Sequence, residues 1–189
     1  MPKGPRGEAD HRRAAPVMGW MGGEYALGNY VLRKFSKADL DKVMRINEEC
    51  LPENYTPFFY LDLHQSFPNS FIVAELNGEI LGYVMCRVEW SLSEFDRWKL
   101  AKKGHIISIA VLPEHRRKGI GRALMIEAME ALGEYGASEI YLEVRVTNHP
   151  AINLYRDLKF EIVNRIRHYY SDGEDAYVMA RRCEPKAGD

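Results

Sequence analysis

The spacing of apolar positions changes several times along the chain, and each change predicts an element. Residues 30–35 alternate as a short strand. Ser36 then offers a helix N-cap, with Asp39 placed to answer it. Leu40, Val43, Met44 and Ile46 recur at helical spacing as far as Cys50. Pro52 breaks that helix inside Leu51-Pro52-Glu53-Asn54-Tyr55, and a second helix is predicted over 57–66. Residues 70–76 and 80–90 read as a hairpin, because Asn77-Gly78 between them is a strong two-residue turn. The stretch 92–103 is polar and predicts an exposed, partly helical connection.

Residues 105–112 are apolar and β-branched, as a strand covered on both faces requires. Pro113 ends it, having no N–H for a ladder. Ile120, Leu124 and Ala128 then carry a helix from about Arg117 to Tyr135, which Gly136 terminates. A strand over 139–146 follows, and Thr147-Asn148 opens a short helix through Leu158. Strands over 160–167 and 176–181 close the chain around a loop at 168–174. The order β-α-α-β-β-β-α-β-α-β-β predicts an α/β fold: a mixed, mostly antiparallel sheet with helices on both faces. Residues 1–29 carry three prolines and six glycines without periodicity, and are expected to be a flexible extension. The domain is expected over 30–182, followed by a polar tail at 183–189.

A chain of 189 residues suits one domain with a sizeable core. With 26 basic and 27 acidic residues the net charge is -1, which gives no case for nucleic-acid or membrane binding. No apolar run approaches transmembrane length. Three cysteines at 50, 86 and 183 form neither a zinc pattern nor a disulfide framework, so a cytoplasmic location is expected.

The chemistry concentrates at Arg116-Arg117-Lys118-Gly119-Ile120-Gly121, where the strand turns into the helix. A helix start leaves backbone N–H groups without partners and carries partial positive charge. Two glycines let a bulky group approach the backbone, and three consecutive cations attract anions. A solvated basic turn before an ordinary helix is the plainer alternative. The segment is neither a Walker A loop nor a dinucleotide fingerprint, since the Lys-Ser/Thr pair and the glycine spacing are absent.

Arg-x-x-Gly-x-Gly at a strand–turn–helix junction resembles the acetyl-coenzyme A signature of the GNAT acetyltransferase superfamily. Leu51-Pro52-Glu53-Asn54-Tyr55, residues 104–111, Leu142-Glu143-Val144-Arg145-Val146-Thr147-Asn148 and residues 169–177 sharpen the likeness. With them the chain resembles archaeal protein N-terminal acetyltransferases, relatives of bacterial RimI and of the NatA catalytic subunit. The resemblance covers about residues 30–182.

It implies a V-shaped opening between the strands at His105 and Glu143, with acetyl-CoA on one side and a protein N-terminus on the other. Backbone groups of Ile109, Ala110 and Val111 would pair with the pantetheine arm. Arg117, Lys118, Gly119, Ile120, Gly121 and Arg122 would hold the pyrophosphate, and Asn148 and Tyr155 would lie near the sulfur. Leu51, Glu53, Tyr55 and Tyr170 would grip the substrate.

The resemblance makes Glu53, His105 and Glu143 the candidate bases and Tyr155 the candidate acid; taken alone, Glu53 reads as an exposed loop residue, His105 as an ordinary edge residue and Tyr155 as core packing beside Leu154 and Leu158. Glu143 lies mid-strand between apolar residues, where a carboxylate needs a polar cleft or a partner such as Arg145. His105 and Glu143 are expected to share a proton through water. Their convergence would admit an incidental divalent ion but no dedicated metal site. The expected function is transfer of acetyl to Ser, Ala, Thr, Gly or Met N-termini. The alternatives are a lysine or small-amine acetyltransferase, or a non-catalytic acyl-CoA-binding subunit. A monomer is expected, with a ribosome or auxiliary subunit as partner.

Overall fold

A computed structural model describes the backbone of residues 25–27 and the chain over 30–183. Eight strands form one sheet in the order β1-β2-β3-β4-β5-β6-β8-β7. They are β1 (Tyr25–Leu27), β2 (Tyr30–Lys34), β3 (Phe71–Leu76), β4 (Glu79–Leu92), β5 (Leu100–Val111), β6 (Glu139–Arg145), β7 (Glu161–Ile166) and β8 (Ala176–Arg182). The helices are α1 (Leu40–Cys50), α2 (Pro57–Ser66), α3 (Ile120–Glu134) and α4 (His149–Asp157). The expected order of elements holds, with one strand added. Of the extension expected to be flexible, β1 pairs antiparallel with β2, and the rest lies outside the described residues. Of the tail, only Cys183 is described.

Helices cover both faces. Leu124, Met125 and Leu132 of α3 and Ile152 and Tyr155 of α4 pack on one face against Ile72, Val84 and Leu142. Val43 and Ile46 of α1 and Tyr60 and Leu63 of α2 pack on the other, against Phe71, Tyr83 and Met85. Gly104 lets α3 lie close to β5: a Cβ there would meet Leu132 Cδ1 at 2.7 Å. The predicted cap before α1 forms, with Ser36 N–H donating to Asp39 Oδ2 at 2.8 Å.

The stretch 92–103 departs from expectation. β4 and β5 continue as a paired ribbon up to Leu92 opposite Leu100, so only a turn at 93–99 connects them. The tip from Arg97 to Leu100 is exposed as expected, but no helix forms, and the polar residues at the base of the ribbon are satisfied internally. Ser93 Oγ donates to Glu139 at 2.5 Å, and Lys103, which is buried, reaches Glu94 at 2.6 Å. Polarity alone could not distinguish this internally paired ribbon from a solvated loop.

The sheet changes character between β5 and β6, its one parallel neighbour pair among the described residues. The ladder consists of Lys103–Glu139, Gly104–Ile140 and His105–Tyr141 and then stops. Beyond it β5 stays paired with β4 and β6 with β8, so the two strands part. A β-bulge marks the divergence: Met85 opposes Ser108 and Cys86 opposes Ile106, leaving Ile107 without a partner on β4.

Candidate active site

The parted strands open a cleft of about 260 Å³. β5 contributes Ile106, Ile107, Ser108 and Ile109, and β6 contributes Leu142, Glu143, Val144 and Arg145. The α1–α2 connection adds Leu51, Pro52, Glu53 and Tyr55 beside Cys50; Asn148 and Tyr155 come from the start and body of α4; Tyr169 and Tyr170 come from the β7–β8 loop. Eight expected site residues therefore meet here: Leu51, Glu53, Tyr55, Ile109, Glu143, Asn148, Tyr155 and Tyr170.

His105 does not line the cleft. Its Nε2 lies 2.7 Å from Glu143 Oε2, so the two make direct contact and the expected intervening water is corrected. The side chains of both are largely buried, at 12% and 17% exposure. Glu143 lines the cleft, and His105 reaches that lining through its contact with Glu143.

Glu53 is drawn across the opening. Arg145 Nη2 donates to its Oε1 at 2.6 Å, while Nη1 meets Asp172 at 2.7 Å and Glu174 at 2.9 Å. The same guanidinium lies 3.9 Å from the Tyr170 ring centroid. One arginine thus ties the α1–α2 connection and the β7–β8 loop to β6. Arg145 pairs with Glu53, so it is not the partner of Glu143 that the sequence offered. Tyr55 donates from its hydroxyl to the carbonyl of the bulged Ile107 at 3.4 Å, and burial pushes its pKa up to about 12. Tyr155 is buried in α4, and burial likewise pushes it to about 12, so its hydroxyl keeps its proton at neutral pH.

The Asn148 side chain caps α4, accepting from Ala151 N–H at 3.3 Å. Ala110, Val111 and residues 117–122 lie outside the cleft lining, on the end of β5 and the turn into α3. Gly119 is the N-cap of α3 with φ 84°, a left-handed conformation that favours glycine. A Cβ on Gly119 would meet nothing within 4 Å, and one on Gly121 only Leu154 and Val111 at 3.7 and 3.9 Å. The backbone at this helix start is therefore approachable, and Arg117, Lys118 and Arg122 are exposed around it. The Ile120 side chain is in the core, so only its backbone can serve a ligand. These features fit a diphosphate.

The sequence model of the acetyltransferase (GNAT) family matches residues 40–160. The chain belongs to the GNAT acetyltransferase family. It is 50% identical over 153 residues to an N-alpha-acetyltransferase of Sulfurisphaera tokodaii, covering 80% of this chain and 92% of that protein. It is 39% identical over 158 residues to the N-terminal acetyltransferase A complex catalytic subunit NAA10 of Arabidopsis thaliana, covering 82% and 79%. Among solved structures, Chaetomium thermophilum Naa20 in complex with a bisubstrate analogue is 34% identical; the match spans 80% of this chain and 85% of that one, with a TM-score of 0.71.

Within this GNAT fold, sequence reasoning missed Ser108, Tyr169 and the clasp by Arg145. For the last, the alternation of Glu143 and Arg145 in β6 puts both on one face, but it carries no sign of the partners Glu53, Asp172 and Glu174.

Proposed function

We propose that this protein is a peptide N-alpha-acetyltransferase that uses acetyl-CoA, acting on small first residues such as Ser, Ala, Thr or Gly and on some Met N-termini. The observation that carries the reading is the cleft itself. A carboxylate pair and a buried tyrosine face one opening, beside a helix start where added Cβ atoms would find space.

Acetyl-CoA supplies a thioester carbonyl; the amine nitrogen bonds to its carbon, the C–S bond breaks and a thiolate leaves. Gly119, Ile120 and Gly121 would offer backbone N–H groups to the diphosphate, with Arg117, Lys118 and Arg122 adding charge. The β6-facing edge of β5 from Ile109 to Val111 has no strand partner, so it can pair with an extended polar arm. An α-amino group has a pKa of roughly 7.7–8.0, so at neutral pH the incoming ammonium must first lose a proton. Glu143 takes it, with His105 donating to the same carboxylate. Glu53 keeps Oε2 for the ammonium while Arg145 holds Oε1. The nitrogen loses a second proton as the amide forms, and in the net reaction the thiolate gains one.

Tyr155 acts here as a hydrogen-bond donor to the leaving sulfur. With its pKa near 12, outright transfer to a thiolate of pKa about 8.5 would be uphill by several kcal/mol. Donation without transfer carries no such cost.

No helix among the described residues is long and apolar enough to cross a membrane. The cytoplasm is the setting we propose, and an auxiliary subunit or the ribosome would present the substrate there.

Peptides with defined N-termini, beside N-terminally blocked lysine-containing controls, test the reading by mass spectrometry. Label on the α-amino group is expected. Label confined to lysine side chains would make it a lysine acetyltransferase, and cofactor binding without turnover would make it a binding subunit.

A further inference from the structure

His105 lacks the orienting hydrogen bond that a catalytic imidazole usually receives on its second nitrogen. Its Nδ1 is buried and has no partner among the described residues. Two consequences follow. A proton on Nδ1 would be a buried donor with nothing to bond, which costs on the order of 1–3 kcal/mol, so the neutral ring carries its proton on Nε2 and donates to Glu143. And no polar contact besides Glu143 fixes the plane of the ring.

A ring does so instead. Tyr141, directly across the parallel ladder from His105, stacks on the imidazole with centroids 4.3 Å apart and planes 10° apart. Tyr141 is itself held: its hydroxyl donates to Glu89 at 2.7 Å, and Glu89 lies 3.0 Å from Arg87. The buried Lys103 ammonium sits 4.4 Å from the same ring centroid and is fixed by Glu94. Its burial has no role in the chemistry described above, and the column gives it one.

We propose that Tyr141 is a positioning residue, whose ring, clamped by Glu89 and Lys103, holds the His105 imidazole so that Nε2–H meets Glu143. The inference rests on the acetyltransferase reading for its consequence, though not for its geometry. Misplacing a group next to the base costs rate and not affinity. Tyr141→Leu removes the ring and should lower kcat roughly 10- to 100-fold with KM for both substrates unchanged. Tyr141→Phe keeps the ring and should restore most of the rate, which a role for the hydroxyl alone would not allow.

Nitrogen-15 NMR of the histidines supplies a reading independent of turnover, with His105 assigned by its loss in His105→Asn. The full-length wild type should show one His105 tautomer, protonated on Nε2, with its ring protons displaced by the tyrosine ring current. Tyr141→Phe should keep both features, and Tyr141→Leu should lose them. A folded Tyr141→Leu protein with wild-type kcat overturns the proposal. So does a wild-type His105 protonated on Nδ1, or one lacking the ring-current displacement, and these two readings decide even if Tyr141→Leu fails to fold. A wild type with the expected spectra that acetylates no N-terminus overturns the acetyltransferase reading and leaves the placement of His105 standing.

Discussion

Arg145 holds Glu53 at 2.6 Å from the opposite side of the cleft, joining β6 to the α1–α2 connection. The guanidinium is 17% exposed and also meets Asp172 and Glu174, so one positive charge is shared among three acids. Removing it leaves those acids converging and releases both substrate-facing loops.

Arg145→Met should therefore lower kcat/KM for the peptide by roughly 10- to 100-fold while the affinity for acetyl-CoA is kept. Combining it with Glu53→Gln should give less than the sum of the two effects, because both break the same contact. Steady-state kinetics of the double-mutant cycle measures this, and additive losses would mean the clasp is not functional.

Glu143 should matter more than His105. The carboxylate lines the cleft and the imidazole does not. Glu143→Gln is expected to lower kcat on the order of 100-fold, and His105→Ala somewhat less. Both losses should deepen as pH falls from 8 to 6.5, where more of the substrate amine is protonated. The double variant should resemble Glu143→Gln alone. pH–rate profiles on one Ser-initial peptide test this, and a His105→Ala loss exceeding that of Glu143→Gln would reverse the assignment.

At Gly121 stability and binding should move in opposite directions. An added Cβ meets only ordinary contacts, so Gly121→Ala should leave the fold neutral or stabilise it by up to about 1 kcal/mol. The same methyl, and more so the side chain of Gly121→Val, occupies space a diphosphate needs. Calorimetry should show acetyl-CoA affinity at least about 10-fold weaker for Gly121→Val. Unchanged affinity in the folded variant would move the diphosphate elsewhere.

Acid should unfold the protein partly through Asp39. Hydrogen bonding from Arg33 holds its carboxyl down to about 2 against the opposing effect of burial, with help from Ser36. A pKa depressed in the folded state gives stability that is fully present above the unfolded value near 3.8 and lost as pH falls toward 2. The shift corresponds to about 2 kcal/mol. Asp39→Asn should lower stability by that order at pH 7 and flatten its decline between pH 4 and 2. Denaturant melts across that range provide the check.

Elements with a local cause were legible in the sequence. Pro57 after Thr56 starts α2, Asn77-Gly78 turns the hairpin and Gly136 ends α3, because each acts through its own backbone or cap. The ribbon at 92–103 was not legible, since Glu139, 46 residues away, is what satisfies Ser93. The site divides the same way. Glu53 and Glu143 lay in recognisable stretches and Tyr155 followed from the family resemblance, and all three line the cleft. The direct His105–Glu143 contact and the Arg145 clasp depend on how far two strands diverge, which no local pattern encodes.

The short β5–β6 ladder has a thermodynamic consequence. Beyond His105 and Tyr141 the sheet lacks rungs, and substrates lying in the gap would supply them. The enzyme would then be least rigid when empty and would stiffen with each substrate. At 100 times its dissociation constant, a ligand confined to the folded state adds about 2.7 kcal/mol of stability. Amide exchange along the seam, at 106–109 and 142–145, should slow on loading while β3 barely changes, so the sheet would report its own occupancy.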